Sequence, residues 1–167
     1  VSAALLIGTP MFLYFGHLSD KIGRKPVMLG GCALAALTYI PIYMAMKAYA
    51  DPVNIPMLIL LVSIQMAYVA MVYGPIAAFL VELFPTNIRY TSMSLPYHLG
   101  NGWFGGFLPL IATALTTSER AKAWLGEGAI YAGLAYPIAV CLITLVVGGL
   151  YIRETKDHKI DTAVGLH

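Results

Sequence analysis

Five stretches of this chain carry no Asp, Glu, Lys or Arg and are dominated by apolar residues: about Ser2 to Gly16, Pro26 to Met46, Pro56 to Val81, Ser92 to Thr117 and Ala129 to Ile152. A helix needs about 20 such residues to cross a hydrocarbon core, and in lipid every backbone N–H and C=O must be satisfied within the segment. Runs of this length therefore predict an all-α, polytopic membrane protein with five transmembrane helices. The first run is short and starts at Val1 without an initiator Met or basic leader, so we expect the chain to begin inside or just before a helix of something larger.

Composition excludes the soluble classes. Of 167 residues, 59% are hydrophobic and only 11% charged, with a mean hydropathy of +0.77. The net charge of +2 is small and its bases cluster near span ends, which gives no support to nucleic-acid binding. Two cysteines, Cys32 and Cys141, fall inside apolar runs without metal-ligand spacing, which argues against a disulfide or zinc framework. We expect both to lie on outer helices. Nothing calls for a metal, a cofactor or an enzymatic nucleophile, and no enzyme activity is expected.

If the connections alternate sides, Lys21, Arg24, Lys25, Arg89, Arg153, Lys156 and Lys159 share one face and Lys47, Arg120 and Lys122 the other. Excess Lys and Arg marks the cytoplasmic side. This orients a bundle over residues 1–153, followed by a cytoplasmic tail over 154–167, in the cell membrane.

The densest polar segment is Gly16 to Pro26, GHLSDKIGRKP. Gly16 and Gly23 permit a reversal within a few residues, so a tight hairpin between two helices is expected. Asp20, alone among bases, can hold an arginine or face a helix N-terminus. The spacing of Gly16, Leu18, Ser19, Asp20, Gly23, Arg24 and Lys25 resembles the signature loop of the major facilitator superfamily of transporters. The resemblance implies a loop that latches the two halves of a transporter; its alternative is a topogenic turn with no part in gating.

A second charged stretch, Val81 to Ser92, joins the third and fourth runs. Glu82 leaves one helix, Pro85 stops it and Arg89 opens the next, so Glu82 and Arg89 are expected to meet across a short connection. Glu82, Leu83, Phe84, Pro85, Thr86, Ile88 and Arg89 are similar to the loop after the tenth span in sugar-porter-like and metabolite:proton symporter members. That match implies that the five spans are the eighth to twelfth of a twelve-span fold, with the N-terminal half elsewhere. Arg153-Glu154-Thr155-Lys156 is close to the family's P-E-T-K ending, with Arg153 in place of proline. The fourth run, with glycines at 100, 102, 105 and 106 and Pro109, resembles the glycine-rich eleventh span of the metabolite:proton symporters. Its Gly102-x-x-x-Gly106 spacing predicts close approach of another helix.

Transporters of this build bind substrate near the bilayer midplane. Depth, at about 1.5 Å per residue, selects Gln65 and Tyr68 in the third run and Asn101 and Tyr97 in the fourth as substrate-path candidates facing a central cavity. Polar residues at depth are costly unless paired, yet each of these amides can equally bond a neighbouring helix. His98, nearer the cytoplasmic end, is either a proton-linked group or a packing histidine. Tyr73 and Trp103 either close a cavity or pack. Gly16, Asp20, Gly23, Arg24, Lys25, Glu82 and Arg89 form the expected latch. No carboxylate lies in mid-run, so a proton-coupling acid is expected in the missing N-terminal part. The resemblance implies a secondary active transporter that moves a small polar metabolite or organic acid with protons by alternating access; the alternatives are a sugar-porter-like uniporter and a non-transporting receptor on the same fold.

Overall fold

The computed structural model describes residues 2–84 and 88–155, and within these the chain is almost wholly helical. Helix α1 (Ser2–Ile22) leads through Gly23 into α2 (Arg24–Ala48), and α3 (Ile55–Leu83) follows. Then come α4 (Arg89–Leu99), a π-helical segment (Gly100–Gly105), α5 (Leu108–Thr117), the short α6 (Glu119–Leu125), a 3-10 segment (Gly126–Leu134) and α7 (Ala135–Tyr151). Among the described residues, three stretches are long and apolar enough to cross a membrane: Arg24–Ala48, Ile55–Leu83 and Gly128–Tyr151. Pro85, Thr86, the tail from Lys156 onward and Val1 lie outside the described residues.

The reversal expected over Gly16 to Pro26 is confined to one residue. α1 stays helical through Gly16, Asp20 and Lys21, and only Gly23 breaks it, at φ 115° and ψ 154°. That region of backbone space is open essentially to glycine alone. Gly16 instead serves a helix crossing. α1 packs chiefly on α3, and a Cβ added at Gly74 would lie 3.0 Å from the Phe12 carbonyl oxygen and 3.1 Å from the Gly16 nitrogen. Two backbones in such contact leave no room for a side chain.

α3 begins with a clear local instruction. The Asn54 side chain accepts a hydrogen bond from the Met57 N–H at 3.2 Å, and Pro56 occupies the first turn, where its missing N–H costs nothing. α2 packs between α3 and α7, and small residues fill these seams: Ala35, Cys32 and Ala70 are buried. Many large apolar side chains point outward, with Leu6 78%, Leu13 78% and Leu150 76% exposed, while Ile42, Leu61, Phe79 and Leu80 are buried. A chain that buries its small residues and shows its leucines needs an apolar surrounding, either lipid or further protein.

The fourth run is not one continuous α-helix. Pro109 cannot donate to the Gly105 carbonyl and its ring crowds it, which weakens the α-helical ladder at this point. The glycines before it add no side-chain packing that would hold the α-helical register, and the backbone widens to a π-helix over Gly100–Gly105. Among the described residues no other helix approaches closely at Gly102 and Gly106: a Cβ at Gly102 would meet nothing within 4 Å, and the nearest atoms to one at Gly106 belong to the Gly102 backbone. The fifth run likewise starts as a 3-10 segment, against which α5 packs, before α7 takes over.

These crossings generate a contrast. Gly74→Val should destabilise the chain by about 1–3 kcal/mol through overpacking. Gly149→Ala, where an added Cβ meets nothing within 4 Å, should instead gain about 0.5–1 kcal/mol from helix propensity. Thermal unfolding in detergent, followed by circular dichroism, measures both.

Candidate functional site

One end of the bundle gathers the charged residues. Arg24 opens α2, and its side chain is 10% exposed. Its guanidinium donates from Nη2 to Glu82 Oε1 at 2.9 Å and from Nε to both Glu82 oxygens at 3.3 Å. Nη1 donates to the buried Ser19 Oγ at 2.7 Å and pairs with Asp20 one turn earlier. Ser19 in turn donates to the Gly16 carbonyl at 2.6 Å. A single planar cation thus joins the end of α1 to the end of α3, using the fork geometry that a lysine lacks.

Glu82 has its own reason to need that cation. It stands in the last turn of α3, where the partial negative charge of the helix C-terminus disfavours an acid. Its side chain is also only 10% exposed. Arg24 offsets both costs, and the Thr155 hydroxyl donates to Glu82 Oε2 at 2.7 Å. The guanidinium pKa is raised above its ordinary value, first by the hydrogen bonds to Glu82, against the opposing effect of burial and with Asp20 adding to the rise. Arg24 therefore stays charged at any working pH.

The N-terminus of α2 is capped from far along the chain. Gly23 has no side chain to cap it, and the Glu154 carboxylate accepts from the Arg24 N–H at 2.8 Å and the Lys25 N–H at 3.0 Å. An anion at this position meets both the unsatisfied N–H groups and the positive end of the helix. Glycine at 23 is also a spatial requirement, since a Cβ there would lie 2.5 Å from Glu154 Oε2. The Lys25 ammonium donates to the Gly149 carbonyl at 2.8 Å, fixing the end of α7 beside that of α2.

Arg89 stands apart from this cluster. Its Nε donates to the Phe84 carbonyl at 3.1 Å, just past the end of α3. The direct Glu82 to Arg89 pairing expected from the sequence is replaced by Glu82 to Arg24, because the turn from Gly23 carries Arg24 to the end of α3. Ser19, Glu154 and Thr155 belong to the cluster and were not picked out as site residues. The family-like ending contains Glu154 and Thr155, and the signature spacing contains Ser19, so each of the three had a signal in the sequence.

The mid-depth candidates separate. A cleft of about 490 Å³ opens between α2, α3, the π-helical segment and α7, and Tyr68, Tyr73, Tyr39, Gly100 and Thr144 help line it. The Tyr68 and Thr38 hydroxyls are 3.1 Å apart. Asn101 is not in the cleft's lining but accepts a hydrogen bond at 2.6 Å from the hydroxyl of Tyr73, which is. Gln65 is not in its lining and directs its amide to the Met46 sulfur at 3.4 Å. Tyr97 and His98 are exposed and meet edge to face at 5.8 Å, with His98 in a separate depression beside Tyr90 and Leu95. Cys32 and Cys141, expected on outer helices, both line the cleft.

Because Arg24 is nearly enclosed, losing Glu82 leaves a buried cation without its main partner. Glu82→Ala should cost about 3–5 kcal/mol. Asp20→Ala should cost about 0–1 kcal/mol, because the Asp20 side chain is 52% exposed. Denaturant titration in mixed micelles ranks the two; equal effects would remove Glu82 as the principal partner.

The chain is 31% identical over 137 residues to a citrate-proton symporter of Salmonella typhi, a match covering 78% of this chain and 31% of that protein. It is 28% identical to an alpha-ketoglutarate permease of Escherichia coli (85% and 32%) and 28% identical to a putative proline/betaine transporter of Staphylococcus haemolyticus (88% and 29%). The chain thus spans about a third of the length of these relatives. No solved structure matches it significantly. Residues 1–164 match the family profile described as Major Facilitator Superfamily, and with that match over nearly its whole length the chain belongs to the Major Facilitator Superfamily.

Proposed function

We propose that this chain is the C-terminal part of a secondary active transporter, its five apolar runs being the eighth to twelfth spans of a twelve-span fold. The observation that carries the reading is the family match over residues 1–164, made by a chain about a third as long as its transporter-named relatives. In this reading α1 and the α4-to-α5 stretch complete the five spans, the charged end lies in the cytoplasm, and the exposed leucines of α1 meet lipid or the N-terminal half. The substrate is a small polar metabolite or organic acid moved with protons, a class that the names of the relatives support.

The charged end acts in this scheme as a conformational latch. Arg24 lies beyond the apolar run of α2, too shallow to touch a midplane substrate, but its bonds to Glu82, Ser19 and Asp20 hold the ends of α1, α2 and α3 together. Glu154 and Thr155 add the chain's tail to the same clamp. A clamp of this kind sets the populations of states rather than the affinity of either. Tyr68, Asn101 and Tyr73 are the groups best placed to meet a substrate from this part of the molecule, and Gln65, Tyr97 and His98 remain candidates through surfaces that the N-terminal half would cover.

Two measurements on the full-length transporter test this. Uptake of radiolabelled citrate, α-ketoglutarate or betaine should collapse on adding a protonophore; uptake indifferent to it favours a uniporter, and binding without any flux favours a receptor. Glu82→Gln should shift the conformational equilibrium by roughly 5- to 150-fold, corresponding to about 1–3 kcal/mol. Its binding measured in a cross-linked, locked state should change little, whereas Asn101→Ala should weaken that locked-state binding. Equal losses of locked-state affinity would overturn the latch.

A further inference from the structure

Cys32 and Cys141 are the chain's two cysteines, both are free thiols, and they come from helices far apart in sequence. Nothing in the transport reading uses them. The register between α2 and α7 explains why they meet. Lys25 bonds the Gly149 carbonyl and Leu29 packs against Gly148, so the two helices run antiparallel with their charged-end contacts aligned. Cys32 lies seven residues into α2 from Lys25, and Cys141 lies eight residues back along α7 from Gly149. At 1.5 Å per residue these steps are about 10 and 12 Å, which puts both cysteines at nearly the same depth. Both line the cleft between the two helices.

We propose that Cys32 and Cys141 form a dithiol site for one two-coordinate thiophilic cation of the mercury(II), silver(I) or copper(I) class, bridging α2 to α7. Ligand chemistry selects this class. Soft thiolates favour soft cations, and linear coordination needs two ligands only. Zinc would ask for four ligands, or three and a water, and the described residues contain no group of three His, Cys, Asp or Glu able to hold a metal. The cleft of about 490 Å³ gives access, and no charged side chain lines it. A neutral dihalide such as mercuric chloride can therefore enter without leaving an ion stranded in an apolar wall. As each sulfur–metal bond forms, that thiol loses its proton and the metal loses a chloride, so one mercuric chloride and two thiols give the bridged complex, two protons and two chlorides. No oxidant or reductant is needed. The ion would tie together two helices that otherwise meet through small residues.

The test uses the chain in detergent with mercuric chloride as probe. After titration and removal of excess, maleimide labelling under denaturing conditions counts the remaining thiols, and elemental analysis counts bound mercury. The expected result is one mercury per chain with both thiols lost. Cys32→Ala and Cys141→Ala should each bind through one thiol and release it to glutathione at a concentration roughly 100-fold lower than the bridged form requires, because the second bond of the pair forms intramolecularly. Two mercury atoms per unsubstituted chain, or release at the same glutathione concentration as from the single variants, would overturn the bridge. A third readout does not depend on either alanine variant folding. With a protease site inserted between α5 and α7, the cut pieces should migrate together in detergent gels only when mercury is bound, and separation of loaded pieces would also overturn it.

Discussion

The Arg24 guanidinium is the constraint on which one end of this molecule depends. Four helices and the tail finish at the same place, and each arrives with a group that cannot be left alone: the carboxylate of Glu82 at a helix C-terminus, the bare N–H groups at the start of α2, and the buried hydroxyl of Ser19. A buried charge without a partner costs more than the pair contributes when complete. The arrangement therefore depends on Arg24 and Glu82 together, whereas the half-exposed Asp20 adds little. Glu154 shows the economy of this network: one carboxylate caps α2, and a Cβ at Gly23 would displace it.

Below that end the bundle is held by shape. The α1–α3 crossing brings backbone against backbone at Gly16 and Gly74, and the α2 seams are filled with Cys and Ala. In lipid the hydrophobic effect gives no preference for helix over acyl chain, so dispersion at close approach has to supply the association. Small residues inside and leucines outside are the expected outcome of that balance. The glycine-rich segment between α4 and α5 falls on the other side of it. Its glycines meet no neighbour, Pro109 interrupts the ladder, and the backbone adopts a π-helix tethered to α3 through Tyr73 and Asn101.

Much of the organisation was legible before any coordinates. Charge-free runs separated by charged connections specify membrane helices because the bilayer core offers no water to an unpaired backbone group. The motif residues around Asp20 and Arg24 and around Glu82 and Arg89 pointed to the family that the chain belongs to. The capping of α3 by Asn54 follows from local chemistry that any helix start obeys.

What tertiary structure decided was the choice among partners. Glu82 had two arginines within reach on paper, Arg89 by sequence and Arg24 by space; the turn at Gly23 placed Arg24 against it and left Arg89 to the Phe84 carbonyl. Gly16 looked like half of a turn and proved to be half of a helix crossing, since periodicity says which residues share a face but not which helix that face meets. The same limit hid the Cys32 and Cys141 pair, whose separation of more than a hundred residues vanishes only when α2 and α7 lie antiparallel. Sequence by itself thus determined which segments are apolar and helical, three of the described ones long enough to cross a membrane, because solvation acts on each segment locally. Pairing across helices was left to packing, because a contact between distant segments depends on a rotation and register that no single segment encodes.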